Sequence, residues 1–255
     1  MNPLASLIIA LLLPCLSQMD TLKPDIWGGG VSRIPASGQQ LWEERAPHQV
    51  FFHVKTTKRI VALTFDDGPH PSYTPAILAV LHAHHAHGTF FVVGNEVKHY
   101  PHILREIIRD GNELGNHTSN HPKLSQLTEK EIRSCDELIE DVTGFRPVLL
   151  RPPGGHISDR LLTLSRKTGH VLIMWTWDVD AKDWMKPGIR TIVQKIVDHV
   201  DPGDIIILHD GGGKRSQTVE ALPIILSDLA RRGYACVSVS ELFRQTHIQR
   251  EGPQK

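Results

Sequence analysis

The run TFDDGPH, residues 64–70, sets Asp66 and Asp67 side by side at the end of an apolar stretch. Adjacent carboxylates repel, and they are tolerated together when a divalent cation neutralises one and an arginine pairs with the other. A plain turn would account for Gly68 and Pro69 but would not require both acids. Further along, GNHTSNHPK places His117 and His121 at i, i+4 spacing. That spacing brings two imidazoles to one face of a helical turn, from which both reach a single ion. Two imidazoles and one carboxylate leave a coordination position open for water, the plan of a hydrolytic zinc centre. The second aspartate then stays off the metal and accepts a proton from that water. Thr118 stands where the HExxH pattern of zincins carries its glutamate, so this pair follows a different plan.

Such a site needs elements that converge its parts. Short apolar runs predict strands over 60–65, 89–93, 113–116, 148–151, 171–177, 204–209 and 234–239. Amphipathic stretches between them predict helices over 75–87, 100–110, 128–142, 159–168, 189–200 and 218–232. Thr128, three residues ahead of Glu131, reads as a capping box. The alternation, with near-continuous apolar strands, predicts an α/β fold with a parallel sheet. Seven such units favour a distorted seven-stranded (β/α) barrel over an open doubly wound sheet, which would want a GxGxxG turn. In a barrel, chemistry gathers on the loops after the carboxyl ends of strands. Asp66, Asp67, His117, Arg151, the 178–184 segment, His209 and Asp210 all fall there.

TFDDGP, HTSNH, RPPGG, DAKDW and ILHDGGG occur in this order between Arg59 and Phe243. Together they resemble the signature motifs of the polysaccharide deacetylase family, carbohydrate esterase family 4, with its nodulation-deacetylase homology domain. The resemblance implies a distorted barrel of deacetylase type that removes acetyl groups from sugars with one divalent metal. By position it implies Asp66 as general base and Asp67, His117 and His121 as metal ligands. Arg151 would pair with Asp66, holding it ionised and oriented. His209 would protonate the leaving amine, with Asp183 tuning its imidazole, and Trp184 and Leu208 would wall the acetyl pocket. At the third motif the family's Arg-x-Pro-Tyr becomes RPPGG, with Gly154 in place of tyrosine. Glycine keeps the backbone N–H that serves the oxyanion in the family, while loss of the phenol implies a different or more open sugar site. The residue types suit the reaction: an amide carbonyl needs a Lewis acid, and an amine leaves only when protonated, for which histidine is fit. Zinc is the first expectation for a two-His, one-Asp set, and cobalt and nickel accept the same donors. The expected substrates are N-acetylglucosamine-containing glycans, peptidoglycan or chitin-like oligosaccharides.

Two rival readings carry less of the sequence. One is a catalytically weak glycan-binding module, encouraged by Gly154. The other is a metal-dependent phosphoesterase, for which no second carboxylate set offers a two-metal centre. The 255 residues hold 28 Lys plus Arg and 28 Asp plus Glu, so no basic excess suggests nucleic acid. The apolar stretch LASLIIALLLPCL is too short to span a bilayer comfortably and reads as a signal peptide or membrane anchor over 1–18. Export to the cell envelope or medium follows, with membrane contact through such an anchor alone, and the chain is expected as a monomer. A Gly/Pro-rich linker or N-terminal extension is expected over 19–58, the catalytic domain over 59–245 and a tail over 246–255. Cys135 and Cys236 read as buried free thiols more readily than as a disulfide. The HAHHAHG tract at 82–88 reads as a solvated helix end rather than a second metal site. GGGK after His209 lacks the P-loop spacing and reads as a flexible loop.

Overall fold

The computed structural model describes residues 36–247. Strands β1 (Val50–Phe51), β2 (Ile60–Asp66), β3 (Gly88–Val92), β4 (Glu113–Asn116), β5 (Leu149–Leu150), β6 (Val171–Ile173), β7 (Ile205–His209) and β8 (Ala235–Val237) form one sheet. Their order is β1-β6-β5-β4-β3-β2-β7, with β8 also paired to β2, and every ladder is parallel. The strand IVALTFD of β2 is buried along its whole length, as a strand covered on both faces must be. It pairs β8 over Ile60–Ala62, β3 over Leu63–Asp66 and β7 over Ala62–Asp66. Asp66 therefore ends the most heavily paired strand of the sheet, opposite His209 in register.

Around the sheet run α1 (Ala36–Arg45), α2 (Tyr73–Ala83), α3 (Gly94–His99), α4 (Pro101–Arg109), α5 (Glu129–Thr143), α6 (Asp159–Thr168), α7 (Ile189–Val197), α8 (Ser216–Arg231) and α9 (Val239–Thr246). Ile77, Leu81, Leu104, Ile107, Ile139, Ile192, Ile196 and Leu222 turn from these helices into the core shared with the strands. Apolar burial of this kind is the main force holding the helices on the sheet. The barrel closes without a ladder between its edge strands, β1 and β7. Thr176 N donates to Ile205 O at 3.0 Å, Val54 N donates to Gly203 O at 2.8 Å, and His53 and Asp204 form a single antiparallel bridge. This seam is the distortion of the (β/α) barrel.

All seven expected strands are present as β2–β8, and β1 is an addition to them. The stretch 19–58 is not linker throughout, because from Ala36 onward it supplies α1 and β1. Phe52 and Val54, just beyond β1, are fully buried, and β1 pairs β6 through Val50 and Phe51. Two residues give no periodicity to read, so this strand left no pattern in the sequence. The strand expected over 171–177 stops at Ile173 and yields to a 3₁₀ turn at Trp177–Val179. The signal or anchor at 1–18 lies outside the described residues. Among those described, no helix is long and apolar enough to cross a membrane. Cys135 and Cys236 are buried free thiols, and burial pushes the Cys236 thiol up to about 12.

Candidate active site

Asp66 ends β2 and Asp67 opens the loop that follows it. Asp66 is buried and accepts a 2.7 Å hydrogen bond at Oδ1 from Arg151 Nη1. Its other oxygen, Oδ2, lies 3.8 Å from His117 Nε2, and Asp67 follows with a left-handed backbone, φ 76°. Asp67 Oδ1 lies 3.4 Å from His117 Nε2 and 3.3 Å from His121 Nε2. Burial alone would raise the Asp67 carboxyl, yet the imidazoles of His117, His209 and His121 hold it well below the usual carboxylate range. His117 responds in the opposite direction: burial would lower it, but Asp66 and Asp67 raise it. His121, desolvated and facing His117, is lowered.

The two imidazoles do not sit on a helical turn. Residues 117–123 form an irregular loop after β4, with Thr118 at φ 70° and His121 at φ 51°. The loop's polar groups are taken by other elements. Gly94 N and Asn95 N at the start of α3 donate to Thr118 O and Ser119 O, each at 2.9 Å. Ser119 N donates to Glu131 O at 3.0 Å, and Asn120 N donates to the Glu131 carboxylate at 3.0 Å. Half of the expected capping box is therefore in place: Thr128 Oγ1 accepts from Glu131 N, while the Glu131 side chain serves the histidine loop.

Among the described residues, Asp67, His117 and His121 are the group whose ligand atoms, one each, lie within 4.8 Å of one another. The donor set fits a divalent ion. His117 Nδ1 lies 2.8 Å from Arg151 O, a carbonyl that can only accept, so Nδ1 carries a proton and Nε2 is the nitrogen left for a metal. The HAHHAHG tract forms no comparable group.

Arg151 is fully buried, and its guanidinium is spent on fixed partners. Nε donates to Ile173 O at 2.9 Å, Nη2 to Met174 O at 2.8 Å, and Nη1 to both Thr64 Oγ1 and Asp66. It lies over the Phe91 ring at 4.2 Å. Across the site, His209 Nδ1 lies 2.7 Å from Asp183 Oδ1, and His209 N donates to Asp183 Oδ2 at 2.9 Å. Burial on its own would lower the His209 pKa, but Asp183, helped by Asp66 and Asp67, raises it to about 9. The Asp183 carboxylate thus favours the protonated imidazole.

A model of the family described as Polysaccharide deacetylase matches residues 53–173. The peptidoglycan-N-acetylglucosamine deacetylase of Bacillus cereus is 39% identical over 203 residues, covering 78% of this chain and 94% of that protein. The chain belongs to the polysaccharide deacetylase family. Like that family it is a hydrolase of carbon–nitrogen bonds other than peptide bonds. The chitooligosaccharide deacetylase of Azorhizobium caulinodans is also 39% identical, over 69% of this chain and 90% of its own length. The crystal structure of a peptidoglycan N-acetylglucosamine deacetylase bound to a naphthalenyl N-hydroxybenzamide superposes with a TM-score of 0.75 at 31% identity, over 80% of this chain and 95% of that one.

In this deacetylase Trp184 is 40% exposed on the 3₁₀ turn Asp183–Met185, beside the His209 partner. Gly154 is exposed, with φ 72°. Leu208 differs from both: it has no exposed surface and belongs to the core behind His209. In the GGGK segment Gly211 and Gly212 form a wall against Asp67, while Gly212, Gly213 and Lys214 are exposed. A Cβ on Gly211 would stand 2.1 Å from Asp67 O, and one on Gly212 would stand 2.4 Å from Asp67 Oδ2. Glycine lets this backbone lie against Asp67.

Two positioning threonines carried no sequence signal. Thr218 on α8 donates to Asp183 Oδ2 at 2.6 Å, and Thr74 on α2 donates to Asp210 Oδ2 at 2.5 Å. Asp210 N donates to Asp66 O at 3.0 Å, tying β7 to the end of β2. Burial, with Asp67 and Asp66 close by, pushes the Asp210 carboxyl up to about 7. Thr74 and Thr218 lie in the first turns of α2 and α8, where a threonine is ordinary, and these contacts appear only when the chain is folded.

Proposed function

We propose that this deacetylase removes N-acetyl groups from N-acetylglucosamine-containing glycans, peptidoglycan or chitin-like oligosaccharides, outside the cytoplasm. The observation that carries the reading is the division of labour between the adjacent acids. Asp67 faces His117 and His121, while Asp66 Oδ1 is held by Arg151 and its Oδ2 stands farther from His117 Nε2, at 3.8 Å. Asp67, His117 and His121 would hold one divalent ion, zinc first among those that suit the donors. When bound, the ion supplies Lewis acidity, polarising the acetyl carbonyl and making water a nucleophile at neutral pH.

The remaining steps belong to the chain's own side chains. Asp66, held in orientation by Arg151, takes a proton from the attacking water as the C–O bond forms. The Gly154 N–H stabilises the oxyanion that develops on the acetyl carbonyl. His209, protonated and held by Asp183, delivers a proton to the nitrogen as the C–N bond breaks. Acetate and a free amine leave, and the glycan backbone stays intact. Trp184 offers an exposed aromatic face to the sugar, and Leu208 backs the pocket from the core. Acetate should be released from N-acetylglucosamine oligomers or peptidoglycan and should stop on chelation. Release of phosphate from phosphoesters, or binding of glycan and metal with no acetate formed, would contradict the reading.

A further inference from the structure

Asn116, Asp136 and His170 form a polar chain inside an otherwise apolar region, at 0%, 0% and 2% exposure. None of the three is a ligand or a reacting group. A buried network of this kind is costly unless its members fix one another. Asn116 is the last residue of β4, next to His117. Its Nδ2 donates to Asp136 Oδ1 at 2.7 Å and to Ile132 O at 2.8 Å, and its Oδ1 accepts from Thr118 N at 2.7 Å. The amide has one workable orientation. Turned over, it would set its oxygen against the Asp136 carboxylate and its NH₂ against the Thr118 N–H. Asp136 Oδ1 lies 3.1 Å from His170 Nε2, and His170 Nδ1 lies 2.9 Å from Thr168 Oγ1. Gln49, ahead of β1, donates to the His170 carbonyl and so closes the chain from the N-terminal side.

The far end of this chain is the backbone of the histidine loop. Thr118 is β-branched and left-handed, φ 70°, a conformation that persists where its surroundings over-determine it. The Asn116 bond to Thr118 N closes the tight turn immediately after His117. We propose that Asp136 and His170 are positioning residues for metal binding: by locking the Asn116 amide they hold the loop that turns His117 and His121 toward Asp67. The proposal rests on the reading of those three residues as the ligand set.

The test is the zinc dissociation constant of the apo full chain, by competition with a chromophoric chelator, together with the visible spectrum of the cobalt-substituted protein. Asp136→Leu should weaken zinc about tenfold and alter the cobalt band. Asp136→Asn keeps an acceptor oxygen for the Asn116 amide and should recover most of that loss. Ile139→Ala, a fully buried truncation on the same helix, should lower the melting temperature and leave the zinc constant and cobalt band unchanged. A folded Asp136→Leu protein with the wild-type constant and spectrum would overturn the proposal, as would Ile139→Ala weakening zinc equally. If Asp136→Leu does not fold, His170→Phe, which removes the donor to Asp136, is read against Ile139→Ala by the same two outcomes. Wild-type protein that binds no zinc, cobalt or nickel would overturn the ligand reading and this proposal with it, a result distinct from tight wild-type binding that the variants leave unchanged.

Discussion

At the scale of the residue, the adjacent acids are distinguished by what each touches. Asp66 meets a guanidinium whose other donors are fixed, so it is oriented but is not one of the three clustered ligands. Asp66→Asn keeps the shape of the side chain and loses the base. It should retain bound metal while kcat falls about 10²- to 10⁴-fold, as measured by acetate release beside elemental analysis. Asp183 raises His209 against the lowering effect of burial. A general acid works while protonated, so activity is lost as pH rises through its pKa. Asp183→Asn leaves burial unopposed at close range, lowers that pKa, and should move the alkaline limb of the kcat profile to lower pH. Profiles recorded from about pH 6 to about pH 10 would show the shift, and an unmoved limb would contradict the role given to His209.

Elements decide how much of this could be read in advance. The acids and imidazoles were legible because few other chemistries need those types at those spacings. The shape of the loop that carries the imidazoles was not. The i, i+4 spacing suggests a helical turn, but α3 and α5 take the loop's backbone groups, so no i→i−4 ladder forms. Hydrogen bonds from distant elements leave no mark on local periodicity. The same holds for β1, whose two residues are defined by pairing with β6, and for Gly211 and Gly212, which answer to the nearness of Asp67. Gly212→Ala tests the last point. Its φ of 67° disfavours a Cβ, which would also stand 2.4 Å from Asp67 Oδ2. The variant should lose metal affinity and acetate release together, by calorimetric titration and activity assay, and an alanine that leaves both intact would show that the wall is not needed.

For the whole molecule, the barrel explains why residues far apart in sequence can act together. Parallel strands present their carboxyl ends at one rim, and β2 and β7, in register at Asp66 and His209, place the proposed base and acid on neighbouring strands. The sequence alternation was enough to read this architecture, because seven buried strands alternating with helices have few other solutions. The closing seam rests on the hydrogen bonds of Thr176 with Ile205 and of Val54 with Gly203 and on the isolated bridge of His53 with Asp204, which no pattern announces. Elemental analysis of the purified chain tests the central claim most directly. The account predicts one divalent ion per wild-type chain and none in a folded His117→Ala/His121→Ala protein; a full complement of metal in that double variant would contradict it.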